Sequence, residues 1–205
     1  MNRRRFLSAT VLLAGTQAKP SLGQGLIKAE VPLDEVLEAY QPQRCPEWCW
    51  AASTSMLFAL YDHKTDQKRI AEALFGSPPA CATAQPSAIL RLLNRVWTDD
   101  AQQRFRCKTT SLYDSFAGVD QMGPQTVIDN LNGGDAMLLC TTHHAMVLTE
   151  VRYVNTIQGP WIREMGVADP WPSSAGLRSL SNSEGTKVWA RGTLTILASI
   201  DITDL

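Results

Sequence analysis

Cys49 is the residue whose setting most invites chemistry. It lies in Gln43-Arg44-Cys45-Pro46-Glu47-Trp48-Cys49-Trp50-Ala51-Ala52-Ser53, with a proline ahead of it and an apolar run behind. The small and apolar residues Ala52, Met56, Ala59 and Leu60 recur from Cys49 at helical spacing, which predicts a helix with one buried face. No glycine or proline interrupts Trp50 to Tyr61, and Pro46 sits just before the helix, where proline is tolerated. The nucleophile in thiol chemistry is the thiolate. A helix N-terminus favours an anion through its unpaired amides and the positive end of its dipole. An isolated cysteine of this kind reads better as core packing beside Trp48 and Trp50. Residues elsewhere in the chain reverse that preference.

A thiol nucleophile needs a base, and the base needs an orienting group. The chain has three histidines, His63, His143 and His144. His63 lies in the polar stretch Tyr61-Asp62-His63-Lys64, which predicts an exposed side chain. His143 and His144 stand at the start of a predicted strand that begins at His144. Adjacent strand residues point to opposite faces, so only one of the two can face Cys49. Asp169, in Ala168-Asp169-Pro170-Trp171, ends the next predicted strand. Neighbouring antiparallel strands would bring it beside the imidazole. A zinc site of Cys45, Cys49, His143 and His144 is the rival assignment, and a weak one, because adjacent strand histidines diverge.

The elements that must position these groups read as helices first and strands later. Thr65 caps a helix through Phe75 that Gly76 ends, and Ser77 to Gln85 is a loop carrying Cys81. Pro86 starts a helix with Ile89, Leu90, Leu92, Leu93 and Val96 as its apolar content. Pro124 to Leu131 is a further helix, stopped by Gly133-Gly134. Ala136 to Cys140, His144 to Val154 and Trp161 to Ala168 are strands, the last two joined by a turn over Asn155–Pro160. Lys187 to Ile202 supplies one or two more. The expected fold class is α+β, with N-terminal helices packed on a C-terminal antiparallel β-sheet.

The 205 residues are 44% hydrophobic and 19% charged, which suits one globular domain plus a leader. A net charge of −1, with no basic stripe past the leader, gives no electrostatic case for a nucleic-acid partner. Residues 1–18 pair Arg3-Arg4-Arg5 with Phe6-Leu7 and an apolar run too short to span a bilayer. They resemble a twin-arginine export signal, a receptor-read address. Residues 19–30 read as a linker and residues 31–205 as the domain. The expected location is periplasmic or secreted, with no stable membrane anchor after signal removal. Five cysteines in an oxidising compartment leave one unpaired, and Cys49 is the best candidate.

The chain resembles the papain-like cysteine peptidases, and most closely their compact bacterial members, such as the avirulence effector proteases and bacteriocin-processing peptidases. Three motifs carry the resemblance: Gln43 six residues before Cys49-Trp50, the His144-Ala145 pair followed by Met146-Val147-Leu148, and Asp169 two residues before Trp171. The resemblance implies a Cys49–His144–Asp169 triad and a thioester intermediate. It implies Gln43 as oxyanion donor, Trp50 and Trp171 in support, and a peptide or protein substrate with no metal or other cofactor. It also implies a Cys45–Cys81 disulfide; parity then offers Cys107–Cys140. The chain departs from the family in having Cys45 four rather than three residues before Cys49, and Glu47-Trp48 where Gly-Ser is usual. Its gap from His144 to Asp169 is also longer. Substrate preference is therefore not carried over, and the sequence names no inhibitor or immunity partner. The same fold and thioester would serve a thiol amidase or a transglutaminase-like acyltransferase, and an intact-looking site can also serve binding alone.

Overall fold

Short runs rich in β-branched and apolar residues build the larger part of the molecule. In a computed structural model that describes residues 25–172 and 176–205, five α-helices and nine strands form a mixed α+β architecture around one antiparallel sheet. In chain order these are β1 (Ile27–Glu30), α1 (Leu33–Ala39), α2 (Cys49–Ala59), α3 (Gln67–Phe75), α4 (Pro86–Leu92), β2 (Arg95–Thr98), β3 (Arg104–Asp114) and β4 (Val119–Asp120). Then come α5 (Pro124–Asn132), β5 (Met137–Thr141), β6 (Ala145–Thr156), β7 (Gly159–Asp169), β8 (Gly176–Ser179) and β9 (Leu194–Asp204). The sheet runs β2-β3-β9-β5-β6-β7-β8. β5 and β1 pair with successive stretches of β6, while β7 pairs along Val147–Thr156.

The centre of this sheet is dry. Met137–Cys140 and Ala145–Thr149 are buried without interruption, as strands covered on both faces must be. α2 packs against β5 and β6, and α5 against β1, β6 and β7. The helix opened by Cys49 differs from the one-faced helix its spacing predicts: every residue from Trp50 to Phe58 is buried. Two of its polar residues are accommodated by hydrogen bonds, the Thr54 hydroxyl donating to the Trp50 carbonyl and the Ser55 hydroxyl to that of Thr65, while the Ser53 hydroxyl is buried without one. A helix buried all round is a stiff base for whatever stands at its first position.

Several boundaries depart from the sequence reading. The linker expected over 19–30 does not run that far, because Ile27–Glu30 form β1 on β6. The leader expected over 1–18, and residues 19–24, lie outside the described residues. Asp66, not Thr65, caps α3, accepting the Lys68 amide at 2.8 Å. α4 stops at Leu92 rather than reaching Val96, which belongs to β2. There the Asn94 side chain takes the Leu90 carbonyl at 2.8 Å and pairs with both Thr109 groups on β3, a local alternative to continuing the helix.

The Cys107–Cys140 pairing offered by parity is not formed, and both thiols are free and buried. Cys107 lies opposite Ile202 and Cys140 opposite Ile196 on the intervening strand β9. That offset is about 20 Å along the strand, far beyond the reach of a disulfide. No helix among the described residues is long and apolar enough to cross a membrane.

Candidate active site

Cys49 is the first residue of α2 and is partly exposed at the floor of a cleft of about 470 Å³. The first amides of a helix lack intrahelical partners, and no acidic residue occupies the first turn of α2. The segment before the helix is stapled to the loop carrying Cys81 at three points. Cys45 and Cys81 form a disulfide with their Cα atoms 6.0 Å apart, the pairing the resemblance implied. The indole N–H groups of Trp48 and Trp50 donate to the carbonyls of Ala80 and Ala82, at 2.9 and 3.2 Å. The two tryptophans beside the thiol therefore hold one wall of the cleft, which Thr83, Ala84, Gln85 and Pro86 continue. The disulfide also removes Cys45 from the rival zinc set.

Gln43 is 5% exposed. Its amide nitrogen donates to the carbonyls of Cys45 at 3.0 Å and Pro46 at 2.6 Å, and its side-chain oxygen is buried without a hydrogen bond. Both N–H groups are thus used on backbone carbonyls within its own loop.

The opposite wall is the β5–β6 turn. The strand begins at Ala145, one residue later than predicted, so His143 and His144 both belong to the turn. The Thr141 hydroxyl accepts the His144 amide at 3.1 Å, and the Thr141 amide donates to the His144 carbonyl at 2.8 Å. Strand alternation therefore does not separate the two histidines as expected, and both line the cleft with Cys49. Only His144 is built into a relay. Its Nε2 lies 2.6 Å from Asp169 Oδ1, and the ring shares the cleft with the Cys49 thiol, which is near enough to act on its titration. Burial, the largest single influence, works to lower the His144 pKa, but Asp169 and Cys49 together outweigh it and raise it from 6.5 to about 9. Its partners thus favour the protonated ring.

Asp169 ends β7 and is 3% exposed. Burial disfavours its charge, yet its partners hold the carboxyl well below the usual range. Oδ1 also accepts the Trp171 amide at 2.9 Å, and Oδ2 accepts Nε–H of Arg178 at 2.6 Å. The backbone behind it is fixed from the α1–α2 connection, where the Tyr40 hydroxyl donates to the Asp169 carbonyl at 3.2 Å and the Gln43 amide to that of Pro170 at 2.8 Å. The Trp171 ring stands edge-on to His144 at 6.1 Å and is 42% exposed.

His63, predicted exposed, is buried. Its ring bonds Asp99 and Asp204, each at 3.0 Å, and stacks on Phe105. It was misread because its carboxylate partners come from distant parts of the chain, which make burial of a polar ring tolerable. Sequence reasoning also missed Arg178, Glu184, Tyr40 and the cleft residue Phe116. Among the described residues no group of three His, Cys, Asp or Glu side chains is arranged to hold a metal ion. What these groups can do together is form a thiolate–imidazolium pair at a helix N-terminus, backed by a buried carboxylate. Compared with known proteins, the chain matches no family model and no curated protein.

Proposed function

We propose that this protein is a cysteine peptidase of the papain-like type, hydrolysing peptide bonds through Cys49, His144 and Asp169. The observation that carries the reading is the His144 imidazole, which shares a cleft with Cys49 and lies 2.6 Å from a buried Asp169. The α+β arrangement, with a thiol opening a buried helix and the imidazole supplied from the β5–β6 turn, supports the same reading.

In this mechanism the Cys49 thiolate attacks the scissile carbonyl carbon, and negative charge moves onto the carbonyl oxygen. The Cys49 backbone N–H is one donor to that oxyanion. Gln43 becomes the second by giving up its bond to the Cys45 or Pro46 carbonyl. The tetrahedral species collapses, the C–N bond breaks, and His144 protonates the departing amine. His144 then takes a proton from water, whose oxygen attacks the thioester and releases the acid and the thiolate. Asp169 holds the ring tautomer throughout. The cleft floor of Trp50, Ile89, Cys140 and Ile196 is apolar, and its rim carries Glu47, Gln85, Phe116 and His143.

The test is a peptide-library digest with the mature protein and its Cys49→Ala variant. Cleavage by the first alone is expected. Loss of substrate only when an amine acceptor is added would instead assign acyl transfer. No turnover, with Cys49 alkylated no faster than Cys107 or Cys140, would overturn the enzyme reading.

A further inference from the structure

Behind Asp169 the hydrogen-bonded chain continues beyond anything the sequence motifs required. We propose that Arg178, itself held by Glu184, is a positioning residue that fixes the Asp169 carboxylate against His144. This deepens the peptidase reading and rests on it for its role in turnover.

The geometry is closed at every joint. A carboxylate bonded through one oxygen still swings about its last torsion, which is broad and roughly two-fold. Asp169 is bonded through both: His144 and Trp171 on Oδ1, Arg178 on Oδ2. Arg178 is locked in turn. Its Nη1 and Nη2 reach the two oxygens of Glu184 at 3.1 and 2.7 Å, and Nη2 also meets the Met146 sulfur on β6 at 3.1 Å. Glu184 accepts the Ser181 amide and hydroxyl at 2.9 and 2.8 Å. Sheet register makes the arrangement natural, because Arg178 lies opposite Val167, the same-face neighbour of Asp169. The guanidinium uses Nε for one carboxylate and its outer edge for another. Lysine cannot reproduce this two-sided fork.

Arg178 places a cation, and Glu184 an anion, behind the imidazole. The other charged or titratable groups near the imidazole are Cys49 from α2, Glu47 just before it, His143 on the same turn and Tyr40 at the end of α1, while Glu150, Arg152 and Glu164 line a surface cavity beside Arg178. Asp169 holds the proton on the His144 ring, so a clamp lost with Arg178 should lower the pH at which the ring deprotonates. A nearby cation that acted only through its charge would do the reverse when removed, and its replacement by lysine would change nothing.

The experiment follows the His144 ring by NMR across pH in the wild type, Arg178→Gln, Glu184→Gln and Arg178→Lys, with peptide turnover measured separately. A lower His144 titration is expected in both Arg178→Gln and Arg178→Lys, with a smaller lowering in Glu184→Gln. A loss of kcat of about 10²-fold is expected where orientation is lost. A raised titration in Arg178→Gln with Arg178→Lys like the wild type, or no displacement in either, would overturn the proposal whether or not the protein cleaves peptides. If Arg178→Gln does not fold, Arg178→Lys decides alone: a lowered titration supports the clamp and an unchanged one refutes it. Correct ring shifts without wild-type turnover would leave the clamp standing and count against the peptidase reading.

Discussion

Two imidazoles share the cleft wall, and their removal should have different consequences. His144→Ala deletes the partner of both Cys49 and Asp169, so kcat should fall by at least the roughly 10²–10⁴ attached to general acid–base catalysis. His143→Ala leaves that relay whole and changes only the lining, so its effect should fall on KM. Steady-state kinetics of the two variants, with circular dichroism to verify folding, checks this. The pH dependence of stability also belongs to these residues. His144 is raised above its ordinary value, so its contribution is complete below about 6.5 and is lost as pH climbs through about 9. Asp169 is lowered, so its contribution is present above its ordinary 3.8 and disappears as acid reaches its held-down range. Melting temperature against pH should therefore decline on the alkaline side near 9, and Asp169→Asn should flatten that decline. Cys49, His144 and Asp169 were legible because each sits in a short local motif. Arg178 was not, since its link to Asp169 depends on the register of β7 and β8, which no local pattern prints.

At the scale of elements, the loop from Ser77 to Gln85 owes its place to the segment before α2. Cys81→Ser removes the covalent staple across a separation of 36 residues, which should cost about 2–4 kcal/mol. The indole bonds of Trp48 and Trp50 to Ala80 and Ala82 remain. Activity at 25 °C should consequently suffer less than stability. Urea denaturation set beside kcat measures both. α4 and α5 were readable from their proline starts, with Pro86 and Pro124 both at the first turn, while the α3 cap is Asp66 and not Thr65. The three strands between α4 and α5 went unread, although Phe105 and Cys107 alternate with Arg104, Arg106 and Lys108 in a plain two-residue period. α1 is only seven residues long and leaves Leu33 and Leu37 exposed, so its pattern resembled a surface segment.

Across the whole molecule, β9 is the strand on which the sheet depends. It follows every other strand in the chain yet lies between β3 and β5. Strand order of this kind is set by long-range pairing, and nothing in the residues of β9 announces it. Removing residues 194–205 would expose one edge each of β3 and β5, the latter in the dry centre of the sheet. No folded monomer should be recovered, and size-exclusion chromatography with far-ultraviolet circular dichroism would show aggregate in its place.

The position of β9 also sets a timetable. Thr195 and Ile196 form part of the cleft, and the Thr195 hydroxyl ties β9 to the Cys140 carbonyl at 3.0 Å, five residues short of Ala145, where β6 begins. During synthesis Cys49, His144 and Asp169 all emerge from the ribosome ahead of that strand. The nascent chain thus carries every reactive group while lacking the scaffold that aligns them. The proposed hydrolysis accordingly begins only once residues 194–204 have emerged and paired with β3 and β5.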